Sequence, residues 1–421
     1  MSHDFDAIIA GGGPAGSTTA SYLRMRGRRP LVLERERFPR FHLGESLLPF
    51  GNDLYRELGV AAEIDGRYIH KPGARFIHEE SGATYTYYFK NDIAGGRPHA
   101  YQVPRADFDK LLLDNARRLG AEVREECEVV SLRVEDEGVR VEARGADGVV
   151  FEVTAPVFVD ATGRDAMLAR QLDLKVADEE ITTNVACFTH FKNARRQPGS
   201  DEGNFTLIMF DGGWWWFIPF AGDVTSIGVV FEKKYTLARR GLSPQELFEG
   251  AVAEQKHIKA ILDGAERVRP IDTTGNWSYR CKRYAGDRYV IVGDSAAFID
   301  PLFSTGVLMA MTGGKFAAEA IDGALAAGDF RSAAFDEYQR KTIAGADLFK
   351  RLVHEFYGEN LRRMLVASEQ NAGLRSVITS MLAGDVYQRR VWHDMLREGF
   401  SHLADNPPTG GRKRVRNTDT L

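Results

Sequence analysis

Short apolar runs set against turn residues organise the first part of the chain. Ala7-Ile8-Ile9-Ala10 follows Asp6 and stops at Gly11, which predicts a buried strand over Asp6–Ala10. Ala15–Met25 has helical spacing, and Pro30–Glu34 predicts a second strand, giving a strand–turn–helix–strand unit. Asp107–Arg118 places Phe108, Leu111, Leu112 and Ala116 at helical spacing. Ala121–Asp160 alternates as strands, with turns at Gly138 and Asp147-Gly148. Thr183–Phe191, Phe205–Phe210 and Ser226–Phe231 predict strands of a further sheet. Tyr289–Val292 reads as another buried strand before Gly293-Asp294, and Ser304–Ala327 as a long helix. Ser332–Leu403 is almost wholly helical in pattern. The segment from Asn406, rich in Pro, Gly and charge, reads as a disordered tail whose Arg412-Lys413-Arg414 run is a solvated end.

Composition narrows the class. A chain of 421 residues, 43% apolar and 27% charged, fits a globular protein of two or three domains. A net charge of -4 leaves no basic excess for a nucleic-acid partner. Cys127, Cys187 and Cys281 are too dispersed for a disulfide framework or a metal cluster, so no metal site is expected and the thiols read as reduced and mostly buried. No apolar run approaches the roughly 20 residues of a membrane helix, and the N-terminus lacks a signal-like pattern. The expectation is a soluble cytoplasmic protein, monomer or homodimer, without a membrane partner.

Gly11-Gly12-Gly13-Pro14-Ala15-Gly16 fits G-x-G-x-x-G, and its position between a strand and a helix gives the motif its weight. Gly11 permits the tight turn, Gly13 a close backbone approach to a pyrophosphate, and Gly16 close helix–strand packing. Pro14 and Ala15 open the helix, whose free N–H groups and positive end favour phosphate. Glu34, followed by Arg35, closes the second strand, where an acidic side chain accepts from ribose hydroxyls. The alternative is a glycine turn without a ligand.

Asp160-Ala161-Thr162-Gly163, Gly293-Asp294 and Val103-Pro104-Arg105-Ala106-Asp107-Phe108-Asp109 resemble segments of FAD enzymes of the para-hydroxybenzoate hydroxylase type. The resemblance implies an α/β fold: a Rossmann-like FAD-binding domain of the glutathione-reductase/para-hydroxybenzoate hydroxylase type, with an inserted, mostly antiparallel β-sheet substrate domain and a helical C-terminal region. The expected division is 1–80, 101–178 and 283–330 for the FAD domain, 81–100 and 179–282 for the sheet domain, 331–405 for the helical region and 406–421 for the tail. It also implies that Asp294 binds the ribityl chain and that Arg105 lies along the cofactor. Arg105 can equally be a surface charge that begins a helix. There is no second G-x-G-x-x-G to mark a dedicated NAD(P)H site.

Three further stretches are more specific. Gly213-Trp214-Trp215-Trp216-Phe217-Ile218-Pro219 contains W-x-W-x-I-P. On a strand it sets Trp214 and Trp216 on one face and Trp215 on the other. Phe298-Ile299-Asp300-Pro301-Leu302-Phe303-Ser304-Thr305-Gly306 matches F-x-x-P-x-F-S-x-G ahead of the long helix. Lys71-Pro72-Gly73-Ala74-Arg75-Phe76 matches K-x-G-A-x-F. Taken singly, these are an aromatic core strand, a pair of helix caps at Ser304 and Thr305, and an exposed lysine. Together they resemble the flavin-dependent halogenases, a likeness that runs to about Tyr387. Arg40-Phe41-His42-Leu43-Gly44-Glu45-Ser46-Leu47-Leu48-Pro49 also looks like the family stretch near the isoalloxazine, with His42 a candidate base or a structural histidine.

The resemblance implies Lys71 as the catalytic lysine, Trp214 and Trp216 as a barrier between substrate and flavin, and a halide site at Ser304, Thr305 and Gly306. Ser46, Pro301, Gly306 and Val307 join the cofactor-binding set. It also implies FAD reduced by a separate, transient flavin reductase, chloride or bromide as co-substrate, and an electron-rich aromatic substrate. Tryptophan halogenases carry a glutamate where this sequence has Phe303, so the likeness is nearer the branch acting on phenols, pyrroles or rings tethered to an acyl carrier protein. The same fold carries monooxygenases and geranylgeranyl-reductase-like enzymes. A non-catalytic FAD carrier is the third reading.

Overall fold

The computed structural model describes residues 3–177, 184–275, 278–358, 364–365 and 368–387. The expected helical stretch beyond Tyr387 and the tail lie outside the described residues, as does Thr183 at the start of one predicted strand.

Ala7–Ala10, every residue buried, is an interior strand of a six-stranded sheet. Across that sheet the strands run Ala285–Gly286, Tyr289–Ile291, Phe158–Asp160, Ala7–Ala10, Pro30–Leu33 and Glu122–Arg124. The strands pair in parallel except at the Ala285–Gly286 edge. Parallel strands covered on both faces have no solvent side, which explains why the central ones read as unbroken apolar runs. Helix Pro14–Met25 packs against helices Arg105–Arg118 and Gly306–Ala327 and is buried from Pro14 through Leu23. A three-stranded antiparallel ribbon, Glu128–Val134, Val139–Arg144 and Val150–Ala155, leads back into the main sheet.

The second sheet has eight strands. Its main path runs Glu266–Arg267, Val185–Lys192, Val224–Phe231, Gly213–Pro219, Phe205–Phe210, Gly73–His78 and Thr84–Tyr88, with Asp272–Gly275 pairing onto Val185–Lys192. All pairs are antiparallel except Phe205–Phe210 with Gly73–His78. Sheet membership therefore starts at Gly73, ahead of residue 81. Ile69–Lys71 forms its own two-stranded pair with Ala100–Gln102. Helices Asp336–Tyr357 and Ala372–Ala383 follow the FAD-motif segments, as the C-terminal pattern predicts.

Several boundaries shift by one or two residues, as at Arg105 and Val224, and one such shift bears on the site. The long helix starts at Gly306, not Ser304. Ser304 is left-handed (φ 57°, ψ 30°), so the chain turns sharply before the helix begins.

Gly16 shows how tightly the first helix meets its strand: a Cβ there would lie 1.9 Å from the Gly11 carbonyl oxygen, a backbone atom with no room to yield. Gly16→Ala is expected to cost about 1–3 kcal/mol in denaturant unfolding of the FAD-free protein and to weaken FAD binding in parallel, measured by fluorescence titration.

Candidate active site

A cavity of about 810 Å³ opens where the parallel sheet, the long helix and the large sheet meet. That volume is in the range of cofactor sites. At one end it is lined by Gly11, Gly13, Pro14, Ala15, Glu34 and Arg35. Gly11 has φ 104°, and a Cβ there would sit 2.2 Å from the Ala161 oxygen, so only glycine lets the turn pass under the Asp160–Gly163 loop. The Asp160 carboxylate builds that loop by accepting from the Thr162 and Leu168 amides and the Thr162 hydroxyl. Glu34 ties the turn to its strand by accepting from Gly12 N–H at 2.6 Å and Glu36 N–H at 2.9 Å. Each oxygen retains a lone pair for a ribose hydroxyl. Arg40, read from sequence only as part of a longer stretch, has Nη2 as the nearest side-chain atom to a Cβ built on Gly13, at 3.5 Å.

Along the cavity lie Ser46, Arg105 and Asp294. The Arg105 guanidinium is committed to the wall. It forms a two-point ion pair with Asp109 (2.7 and 3.0 Å) and donates to the Leu43 carbonyl at 2.6 Å. Removal from bulk water pushes the Asp294 carboxyl up to about 6, against the pull of Arg105. Ser46 Oγ is buried and has no partner among the described residues, a polar atom awaiting a ligand or water. His42 also lines the cavity. Its Nδ1 lies 2.7 Å from the Leu43 carbonyl, and burial, aided by Arg105, lowers it to about 4, so it is neutral near pH 7.

At the other end are Asp300, Pro301, Ser304, Thr305, Gly306 and Val307. No side chain caps the long helix; Ser304 and Thr305 do not act as caps, and the side-chain cap in this segment is Asp300, onto Leu302 N–H of the preceding short turn. The first-turn N–H groups have no helical acceptor and sit at the positive end of a 22-residue helix, a favourable place for an anion. Phe303 is not in the cavity lining; it packs edge-on against Phe356.

The strand Gly213–Pro219 divides its indoles as its alternation predicts. Trp214 and Trp216 line the cavity, with ring centroids 6.1 Å apart. Trp215 belongs to the core on the opposite side of the sheet, where it donates to Gln255 and meets Phe248 edge-on.

Lys71 is 2% exposed. Its Nζ donates to the Leu47 carbonyl at 2.9 Å and faces the rings of Phe89 (5.5 Å) and Phe205 (5.4 Å). Burial alone lowers this amine to about 7. Lys71 and Gly16 are the two predicted site residues that do not line the cavity. Phe205, which sequence reading treated only as a strand residue, lines the cavity and contacts Lys71 as well. One aromatic ring therefore borders both the cofactor space and the amine.

The three cysteines are buried and free, and burial pushes the Cys187 and Cys281 thiols up to about 11 and 12. On the surface, Asp65, His70 and His99 bring ligand-type atoms within 4.8 Å of one another. The two imidazoles stack 4.0 Å apart at 8°, so their lone pairs run alongside each other instead of meeting at one point. Among the described residues no helix is long and apolar enough to cross a membrane.

Residues 4–346 match the family model of the FAD binding domain, which places the chain among FAD-binding oxidoreductases. The chain is 32% identical, over 96% of its length and 95% of the relative, to the 1H-pyrrole-2-carbonyl-(peptidyl-carrier protein) chlorinase of Pseudomonas fluorescens. It is 30% identical, over 92% of its length and 94% of the relative, to the corresponding brominase of Pseudoalteromonas luteoviolacea. The flavin-dependent brominase Bmp2 superposes with a TM-score of 0.85 at 28% identity, covering 95% of this chain and 99% of that one. The chain belongs to the flavin-dependent halogenases: it is an enzyme that uses FAD and halide to halogenate an aromatic substrate.

The depressed Lys71 amine has a stability signature. The unfolded chain holds this proton to about pH 10.4, whereas the folded chain releases it near 7. The group thus adds stability as pH rises through that window, at up to about 1.4 kcal/mol per pH unit. Unfolding free energies of wild type and Lys71→Met are expected to converge on that slope between about pH 7 and 10, and to run parallel below it.

Proposed function

We propose that this halogenase acts on an electron-rich ring held as an acyl group on a carrier protein, a pyrrole-type ring foremost, and that Lys71 delivers the halogen to it. The single observation that carries the role of Lys71 is its burial, with Nζ held by the Leu47 carbonyl against the Phe205 ring that also borders the cofactor cavity. Two relatives that cover nearly the whole chain, the chlorinase and the brominase above, act by name on a carrier-bound pyrrole acyl group, which supports the substrate class.

The residues present fit FAD. The Gly11–Gly16 turn, the Pro14 helix start and Arg40 suit a pyrophosphate, and Glu34 suits a ribose. Asp294, Ser46 and the fixed Arg105 wall suit the ribityl chain and ring. Reduced FAD, supplied by a separate flavin reductase, provides the two electrons with which dioxygen is reduced as the halide becomes hypohalous acid. The open first turn at Thr305, Gly306 and Val307 holds chloride or bromide there, and the Trp214–Trp216 wall keeps the substrate ring away from the cofactor.

At about 7, the Lys71 amine exists in both protonation states near neutral pH. The ammonium form hydrogen-bonds hypohalous acid at oxygen and polarises it. The neutral form attacks halogen: an N–halogen bond forms, the O–halogen bond breaks, and the leaving hydroxide takes the amine proton as water. Either way, electrophilic halogen is presented on the far side of Phe205 from the cofactor.

The test uses enzyme, FAD, a flavin reductase with NADH, bromide, and either a pyrrolyl-carrier thioester or free phenols and pyrroles, read by mass. Brominated thioester is expected from wild type, with at least about a hundredfold loss in Lys71→Ala at unchanged FAD content. An oxygenated product, or bromination indifferent to Lys71→Ala, would sink the assignment. Bromination of free rings only would remove the carrier.

A further inference from the structure

Tyr357, the last residue of helix Asp336–Tyr357, puts its hydroxyl at the meeting point of three segments. Trp214 Nε1 donates to it at 3.0 Å and Asn184 Nδ2 at 3.0 Å, while it donates to Asp300 Oδ2 at 3.2 Å. A phenol has one proton and two lone pairs, so these three bonds use its capacity completely. The directions are forced. An indole N–H only donates and a carboxylate only accepts, which leaves the Asn184 amide to face the hydroxyl with its NH₂ edge. Trp214, Asn184 and Asp300 are 1%, 1% and 3% exposed, so water is a poor substitute for the phenol.

The partners are not equivalent. Trp214 is part of the aromatic wall. The other Asp300 oxygen caps the turn Pro301–Phe303, which leads directly into Ser304, Thr305 and the open helix start. Tyr357 does not line the cavity. It acts from behind, through Trp214 on one side and Asp300 on the other.

We propose that Tyr357 is a positioning residue that fastens the tryptophan wall to the anion-binding turn, so that halide capture and containment of the oxidised halogen depend on one hydroxyl. This rests on the halide site and the wall assigned under Proposed function. Without the hydroxyl, Asp300 and Trp214 lose their common partner. The turn and the wall then move independently, the halide is held less well, and more oxidising equivalents escape as peroxide.

The experiment uses holoenzyme with reductase and an accepted substrate. It measures the KM for bromide, the KM for substrate, and the ratio of brominated product to hydrogen peroxide. Tyr357→Phe keeps the ring and removes only the hydroxyl. It is expected to raise the bromide KM about tenfold and lower the product-to-peroxide ratio severalfold, with FAD affinity and substrate KM within about twofold of wild type. Trp214→Phe removes the indole donor together with part of the wall's ring surface, and should lower the same ratio and raise the bromide KM as well. In the double variant the two losses should not multiply, because both remove the same bond.

A bromide KM and product ratio unchanged in Tyr357→Phe overturn the proposal, as do multiplicative losses in the double variant. If Tyr357→Phe does not fold, the bromide KM of Trp214→Phe decides: an unchanged value overturns the proposal and a raised one supports it, because the wall reaches the halide turn only through Tyr357 and Asp300. Wild type that makes no brominated product overturns the underlying functional reading and this proposal with it. Brominating wild type with an indifferent Tyr357→Phe overturns this proposal alone.

Discussion

The structure turns on a lysine kept out of water. Enclosing an ammonium group without a carboxylate partner is unfavourable, and the protein meets that cost by lowering the proton affinity of Lys71 and giving its nitrogen a carbonyl and two ring faces. Everything around the amine serves that enclosure. The pair of Ile69–Lys71 with Ala100–Gln102 holds the backbone, the 44–47 segment brings in the Leu47 oxygen, and the large sheet brings in Phe205. A salt bridge at this point would have stabilised the cation and left a group of ordinary basicity, unable to share its proton near neutrality.

The two sheets divide the work. The parallel sheet ends in loops and a helix start that suit a dinucleotide and an anion, because exposed backbone N–H groups and glycines lie where its strands stop. The antiparallel sheet contributes side chains instead. Its alternation sends Trp214 and Trp216 to the cavity and Trp215 into a separate core. The site lies at the seam, so its geometry depends on how the sheets are fastened, and the hydroxyl of Tyr357 is one such fastening.

Legibility followed the range of the interactions. Ala7–Ala10, Phe205–Phe210 and the divided tryptophans were readable because burial on two faces or one leaves a local pattern. The glycine turn was readable because Gly11, Gly16 and Glu34 meet within a single strand–turn–helix–strand unit. Gly73–His78 forms a local hairpin with Thr84–Tyr88, but what places it inside the large sheet is its parallel pairing with Phe205–Phe210, over 120 residues away, which no short pattern records. The helix start was misplaced because a left-handed serine carries no composition signal. Phe205 and Tyr357 owe their importance wholly to neighbours distant in the chain, so neither residue type nor spacing could have pointed to them.

The cysteines gain meaning in this setting. A catalyst that generates an electrophilic oxidant within its own fold is exposed to self-inflicted damage, and the sulfur anion is the side chain most prone to intercept such a species. Burial holds Cys187 and Cys281 as neutral thiols far above physiological pH, and Cys127 sits beside Glu34, where its backbone N–H donates to the Glu34 carbonyl. Under the proposed mechanism, the Lys71 amine then meets no thiolate at Cys187 or Cys281 competing with it for the halogen.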